Sequence, residues 1–234
     1  MTSYEIKYFN IHARSLVSKI ILERSGASYV VTVPEWPREK ADMPYGRLPV
    51  LIESSDGENF VLSESRAIEE YLAGKFGYLP AGIKDLAVCN EYVCQIYEII
   101  EAVCELANYI IITSYTLGPL IDGLTKSPDQ CVDRSQFYIA QRIADMRNSA
   151  VSISDHFLAK HESILSKSKS GFYFGNCMTY PDILLFAALE FLKSRNVSAS
   201  FNRTKYPNVM NLIDKVGSDK AVADIVSVKL VNLF

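Results

Sequence analysis

Strand-type patterning is confined to the first eighty of the 234 residues, and everything after it repeats at helical periods. That change of texture constrains the fold more than any single motif, because it asks for a small sheet early in the chain and a helical body after it. Tyr4 to Phe9 alternates as a strand, and Ser28 to Val33 is rich in β-branched residues. Leu48 to Glu53 and Asn59 to Leu62 are short strands joined across Asp56-Gly57, a pair suited to a tight hairpin. Arg14 to Arg24 carries Leu16, Val17, Ile20 and Ile21 at helical spacing and stops at Gly26. Ser65 to Phe76 is amphipathic, with Ile68, Tyr71 and Leu72 on one face. The expected order is β-α-β, a three-proline loop carrying a short helix, then β-β-α. A right-handed crossover makes the first two strands parallel, and the hairpin adds antiparallel strands to the same sheet.

Beyond Ile83 the apolar positions recur at threes and fours over 85–116, where Val93, Ile96, Tyr97, Ile100, Val103 and Cys104 fall in register, and again over 129–160. Thr179 to Leu192 opens with Thr179 and Asp182 at capping-box spacing, and its run Ile183-Leu184-Leu185-Phe186 requires a buried position. Two shorter helices are expected over 209–216 and 221–226. The expected division is an α/β domain over 1–78, a linker over 79–82 and an all-helical domain over 83–234.

With a net charge of −3, the chain offers no electrostatic attraction to nucleic acid or an anionic membrane. No apolar run reaches the roughly 18–20 residues of a membrane span, and MTSYEIKYFN has neither a basic n-region nor an apolar h-region. A cytoplasmic location is expected. Cys89, Cys94, Cys104, Cys131 and Cys177 form no C-x-x-C pair and have no histidine at ligand spacing, so no metal site is expected. Free cysteines in helical runs pack as small hydrophobes.

Five pieces together resemble the cytosolic glutathione transferase family, tyrosine-type and closest to its sigma class. They are YFNIHARS (8–15), EWPREK (35–40), YGRLPVL (45–51), LSESRAIEEYLAGKFG (62–77) and FGNCMTYPDI (174–183). The resemblance implies a thioredoxin-like N-terminal α/β domain (β-α-β-α-β-β-α) followed by an all-α domain. It also implies glutathione as co-substrate, conjugation to small hydrophobic electrophiles, and a homodimer. Tyr8 matches the family's catalytic tyrosine, with Arg14 keeping its surroundings electropositive. Tyr4 has the same side-chain parity, and periodicity alone leaves both tyrosines open.

By the same resemblance, Ser65 and the start of its helix would take the γ-glutamyl carboxylate, and Glu64 the ammonium. Trp36 and Lys40 would meet the glycine end, joined by Arg47 in place of the usual Gln. A cis bond before Pro49 would turn the backbone of Leu48 toward the cysteinyl portion. Tyr45 resembles an aromatic key inserted into a partner subunit. His12 and Ala13 replace the Arg-Gly pair common in sigma-type loops, and the region of a partner aspartate reads Glu91-Tyr-Val-Cys-Gln95. An electrophile pocket is expected between the domains, lined by 11–14, Tyr109 and Tyr115, with the segment from 228 as a cap. The competing function is a non-catalytic, structural, storage or crystallin-like protein on the same fold. A redox protein is disfavoured because 1–82 contains no cysteine.

Overall fold

In the computed structural model, which describes residues 2–117, 128, 134–195 and 197–228, four strands form one mixed sheet. Strands β1 (Ser3–Lys7), β2 (Tyr29–Thr32), β3 (Val50–Ser55) and β4 (Glu58–Ser63) lie in the order β2-β1-β3-β4. β1 and β2 are parallel, as the crossover demands, while β1–β3 and β3–β4 are antiparallel. Asp56 and Gly57 both take positive φ, at 53° and 85°, as a two-residue hairpin turn of this hand requires. The first strand is shorter than its alternation suggested and ends at Lys7. Tyr8 still donates its N–H to Thr32 at 3.0 Å.

Helix α1 (Leu16–Arg24) follows a 3-10 turn at Ala13–Ser15, and α2 (Ser65–Lys75) follows β4 directly. Leu16, Ile20 and Ile21 of α1, Ile68 and Leu72 of α2, and the sheet residues Ile6 and Leu51 are all at most 2% exposed, and α2 packs on both α1 and β3. This apolar layer is what holds the helices on the sheet. Between β2 and β3 the expected short helix is two 3-10 turns, Arg38–Asp42 and Pro44–Gly46.

The remaining helices are α3 (Ile83–Leu117), α4 (Arg134–Leu165), α5 (Tyr180–Ser194), α6 (Pro207–Gly217) and α7 (Lys220–Ser227). The run 183–186 of α5 is buried throughout, as its composition required. The side chain of Tyr115, Cys131 and the segment from 229 fall outside the described residues. No helix among the described residues is long and apolar enough to cross a membrane.

The chain divides into two compact units that do not follow chain order. The first gathers Met1–Asn90, Ser168–Ala187 and Asn211–Phe234. In this unit α7 packs on α1, and the N-cap of α7, Asp219, accepts the guanidinium of Arg24 at 2.8 Å. Asp182, one turn into α5, accepts the N–H groups of Thr179 (2.7 Å) and Tyr173 (3.0 Å). The Thr179 hydroxyl donates to the same carboxylate at 2.5 Å. It therefore points the opposite way from a capping box, where the hydroxyl accepts a backbone N–H.

The second unit comprises Glu91–Lys167 and Ala188–Met210. His161 stacks on Phe157 at 3.8 Å and meets Tyr92 edge-on at 5.0 Å. Burial pushes its pKa down to about 4, so it is a neutral core residue near pH 7. Glu162 accepts the N–H groups of Asn208 and Val209 and the Asn208 amide, satisfying the start of α6.

Candidate functional site

Register decides which loops meet. Lys7 pairs with both Thr32 and Val50, and Val50 pairs with Ser63. One end of the sheet is therefore the exit of β1, the exit of β2, the entry of β3 and the exit of β4. The residues just beyond those points are Tyr8, the loop carrying Trp36 and Lys40, Leu48-Pro49, and Glu64-Ser65. Pieces separated by more than fifty residues in the chain share one rim.

The same register separates the two candidate tyrosines. Tyr4, Ile6 and Tyr8 all turn to the buried face, as a period of two requires. Tyr4 sits toward the C-terminal end of α2, with its ring 5.9 Å from Phe76 and the Lys75 ammonium 5.6 Å above it. Lys75 is also bonded to Glu53, whose carboxylate takes the Tyr71 hydroxyl at 2.6 Å. Tyr4 is thus part of a packed ionic cluster. Tyr8 stands at the rim, where its hydroxyl oxygen accepts the backbone N–H of Arg14 at 3.3 Å.

The turn that aims this N–H is unusual. Ala13 has φ +30°, a region that side-chain-bearing residues avoid at a cost on the order of 1–3 kcal/mol. This is the position where the sigma-type loop carries glycine. The turn is held from below. Ser15 donates its N–H and hydroxyl to His12 O at 2.9 and 2.8 Å, and the Lys19 ammonium donates to Ile11 O at 3.2 Å. Neither Ser15 nor Lys19 was marked by the sequence reading. The available signal was a lysine among the apolar residues Leu16, Val17, Ile20, Ile21 and Leu22.

Across the rim, ring contacts connect the expected residues. The Tyr8 and Phe9 rings lie 5.7 Å apart, Phe9 meets Trp36 edge-on at 5.7 Å, and the Lys40 ammonium lies 5.9 Å from the Trp36 centroid. Lys40 runs beside Gly46, whose φ of +59° is the conformation that favours glycine. Trp36-Pro37 is cis, which the sequence reading did not anticipate, and Leu48-Pro49 is cis as the resemblance implied. Neither the N–H nor the C=O of Leu48 takes a backbone partner among the described residues. A free strand edge one residue long is therefore presented at the rim.

Glu64 precedes α2 at φ +70°, ψ 118°, a second strained position at this end of the sheet, and its side chain is exposed. Ser65 is 6% exposed and opens α2, where the N-cap residue Glu64 makes no side-chain cap bond and its carbonyl accepts the Ile68 N–H at 3.0 Å. Arg47 is exposed in extended backbone. Tyr45 is 83% exposed, at φ +55°. Tyr109 is half-buried in the second unit, and Tyr92 of the 91–95 stretch is engaged with His161 there. No group of three or more His, Cys, Asp or Glu able to hold a metal occurs among the described residues.

Chemically, the rim joins a buried phenol, an open backbone edge, the N-terminal start of a helix, and a carboxylate and two cations at its margins. Two sequence profiles match the chain. "Glutathione S-transferase, N-terminal domain" covers residues 4–74, and "Glutathione S-transferase, C-terminal domain" covers residues 141–225. Glutathione S-transferase 4 of Caenorhabditis elegans is 29% identical over 210 residues, 88% of this chain and 87% of that one. S-crystallin SL20-1 of Nototodarus sloanii is 27% identical over 224 residues, 93% of each chain. Among solved structures, the Nu-class GST from Haemonchus contortus superposes with a TM-score of 0.69 at 23% identity over all of both chains. The monomeric Na-GST-3 of Necator americanus gives 0.71 at 22%, covering 99% of this chain and 100% of that one. At these identities the structures establish a common fold.

Proposed function

The chain belongs to the glutathione S-transferase family, and from that membership we propose that it conjugates glutathione to small hydrophobic electrophiles, with Tyr8 stabilising the thiolate. The observation that carries this reading is the convergence of Tyr8, Leu48-Pro49 and Glu64-Ser65 on one end of the sheet. Relatives named glutathione S-transferase support an enzyme of glutathione transfer.

A free thiol with a pKa of about 8.5 is only a few per cent thiolate at neutral pH. A hydroxyl aimed at the sulfur favours the anion, by about 1.4 kcal/mol for each unit that its pKa falls. Accepting the Arg14 N–H polarises the Tyr8 phenol and strengthens the proton it donates to the sulfur. The thiol proton goes to solvent. On an aryl halide the carbon–sulfur bond then forms, and the carbon–halogen bond breaks with departure of halide.

The remaining roles follow the tripeptide's charges. The N-terminus of α2 and the Ser65 hydroxyl suit the γ-glutamyl carboxylate, and Glu64 suits the ammonium. Leu48 offers one N–H and one C=O to the cysteinyl backbone. Trp36, Lys40 and Arg47 would meet the glycine end, the cations opposite its carboxylate. No metal enters this chemistry. A cytoplasmic homodimer, with the exposed Tyr45 inserted into the partner, completes the reading. One similar structure is described as monomeric, so the oligomeric state is a matter for direct measurement.

A second reading, a structural or storage protein on the same fold, is favoured by the S-crystallin likeness over 93% of each chain. Retention on immobilised glutathione and turnover of an aryl halide separate the two. Transferase function predicts retention and activity, with Tyr8→Phe lowering kcat/KM at least about tenfold, or ~1.4 kcal/mol. Absence of both retention and turnover would exclude it and leave the structural role.

A further inference from the structure

We propose that Lys19 is the positioning residue of the thiolate-stabilising site: its ammonium, by holding the Ile11 carbonyl, fixes the turn that delivers the Arg14 N–H to Tyr8. The inference rests on the transferase reading of Tyr8 and extends it to a residue that makes no ligand contact.

Lys19 is 7% exposed, inside α1, and the Ile11 carbonyl at 3.2 Å is its hydrogen-bond partner. A lysine with a flexible four-carbon stem ordinarily reaches water. Here the head is withdrawn beneath a backbone turn, and among the described residues no carboxylate pairs with it. Burial pushes its pKa down to about 8, a sign of how far it is removed from solvent.

Its partner is the critical one. Ile11 lies two residues before Ala13, whose φ of +30° persists only if its neighbours prevent relaxation. Two side chains supply that restraint. Ser15 holds the His12 carbonyl at 2.8 Å and reaches the Ile11 carbonyl only at 3.5 Å, while Lys19 holds the Ile11 carbonyl at 3.2 Å. The residue after Ala13 is Arg14, whose N–H meets Tyr8 at 3.3 Å. If Ile11 is released, the Ala13 turn can relax toward negative φ and rotate the Arg14 N–H away from the phenol. A glycine at 13 would need no such clamp. The alanine here makes the restraint necessary.

The test uses the full chain, with Lys19→Met removing the donor at similar length and Lys19→Arg restoring a donor. The readouts are kcat, KM for glutathione, and the pKa of the bound thiol from thiolate ultraviolet absorbance. Wild-type binding and turnover are established first, because their absence would defeat the transferase reading rather than this one. The expected result for Lys19→Met is a kcat lower by about tenfold and a bound-thiol pKa higher by about one unit, with KM changed less than about threefold. Lys19→Arg should stay within about threefold of wild type in kcat. A methionine variant with unchanged kcat and thiol pKa overturns the proposal, as does an arginine variant impaired as much as the methionine one. Should Lys19→Met fail to fold, Lys19→Arg decides: retained thiol pKa supports the donor role, and a raised one overturns it.

Discussion

The hydroxyl of Tyr180 donates to Glu69 at 2.8 Å, and both side chains are at most 2% exposed. This bond fastens α5 to α2 across 111 residues of chain, beside a second tie from the Tyr180 N–H to the Tyr78 carbonyl at 2.9 Å. Tyr180→Phe removes one donor to a buried carboxylate without changing the ring. The expected loss is about 1–3 kcal/mol, read as a lower denaturant midpoint.

Asp182 should make its stability contribution depend on acid pH. Burial raises its pKa from 3.8 to about 6, against the lowering effect of Thr179 and Tyr173. A raised folded pKa means that the folded state binds the proton more tightly. The associated stabilisation is complete below pH about 4 and is lost as pH rises through about 6. The stability advantage of wild type over Asp182→Asn should therefore shrink between pH 4 and 6, by up to about 1.4 kcal/mol per unit, and level off above. A constant difference across that range would refute the assignment. Removing the carboxylate altogether, in Asp182→Ala, should cost about 2–4 kcal/mol, because two N–H groups and a hydroxyl lose their acceptor.

Ala13→Gly should relieve the positive φ. A stability gain of about 1 kcal/mol is expected in urea unfolding, since the strain removed exceeds the added freedom of the unfolded chain. A loss of stability would show that the methyl group is held by packing that outweighs its conformational cost.

At the margin of the rim, Arg47→Gln and Lys40→Met should each raise KM for glutathione several-fold, about 1 kcal/mol per exposed charge, with kcat unchanged. That pattern marks binding shared equally by ground and transition states. A fall in kcat instead would move these residues closer to the reacting sulfur.

In the second unit, Glu162→Ala should destabilise by about 1–3 kcal/mol. The N–H groups of Asn208 and Val209 at the start of α6 lose their acceptor together. Thermal melting of the variant is the direct check.

Local chemistry carried much of this molecule into the sequence. The Asp56-Gly57 turn, the alternation through Ile6 and the apolar run 183–186 each have one physical solution, and the fold contains it. What escaped the sequence depends on neighbours distant in the chain. Glu69 and Glu70 are adjacent acids on one helix, yet Glu69 is buried because Tyr180 waits for it 111 residues later. Lys19 resembles any helix lysine until the turn above it closes. Tyr4 and Tyr8 share a parity, and only the packing at opposite ends of β1 distinguishes their surroundings. Periodicity tells which face a residue takes; it does not tell which end of the sheet a loop returns to.

The interleaving of the first unit has a consequence during synthesis. Its sheet and α1 leave the ribosome before the helix that lies against α1, and the Asp219 that receives Arg24 emerges 195 residues later. Until then the nascent chain holds an α1 surface that α7 has yet to cover. Shortening the chain before Lys220 should therefore expose that surface at the amino-terminal end of the molecule, where a chaperone would find it.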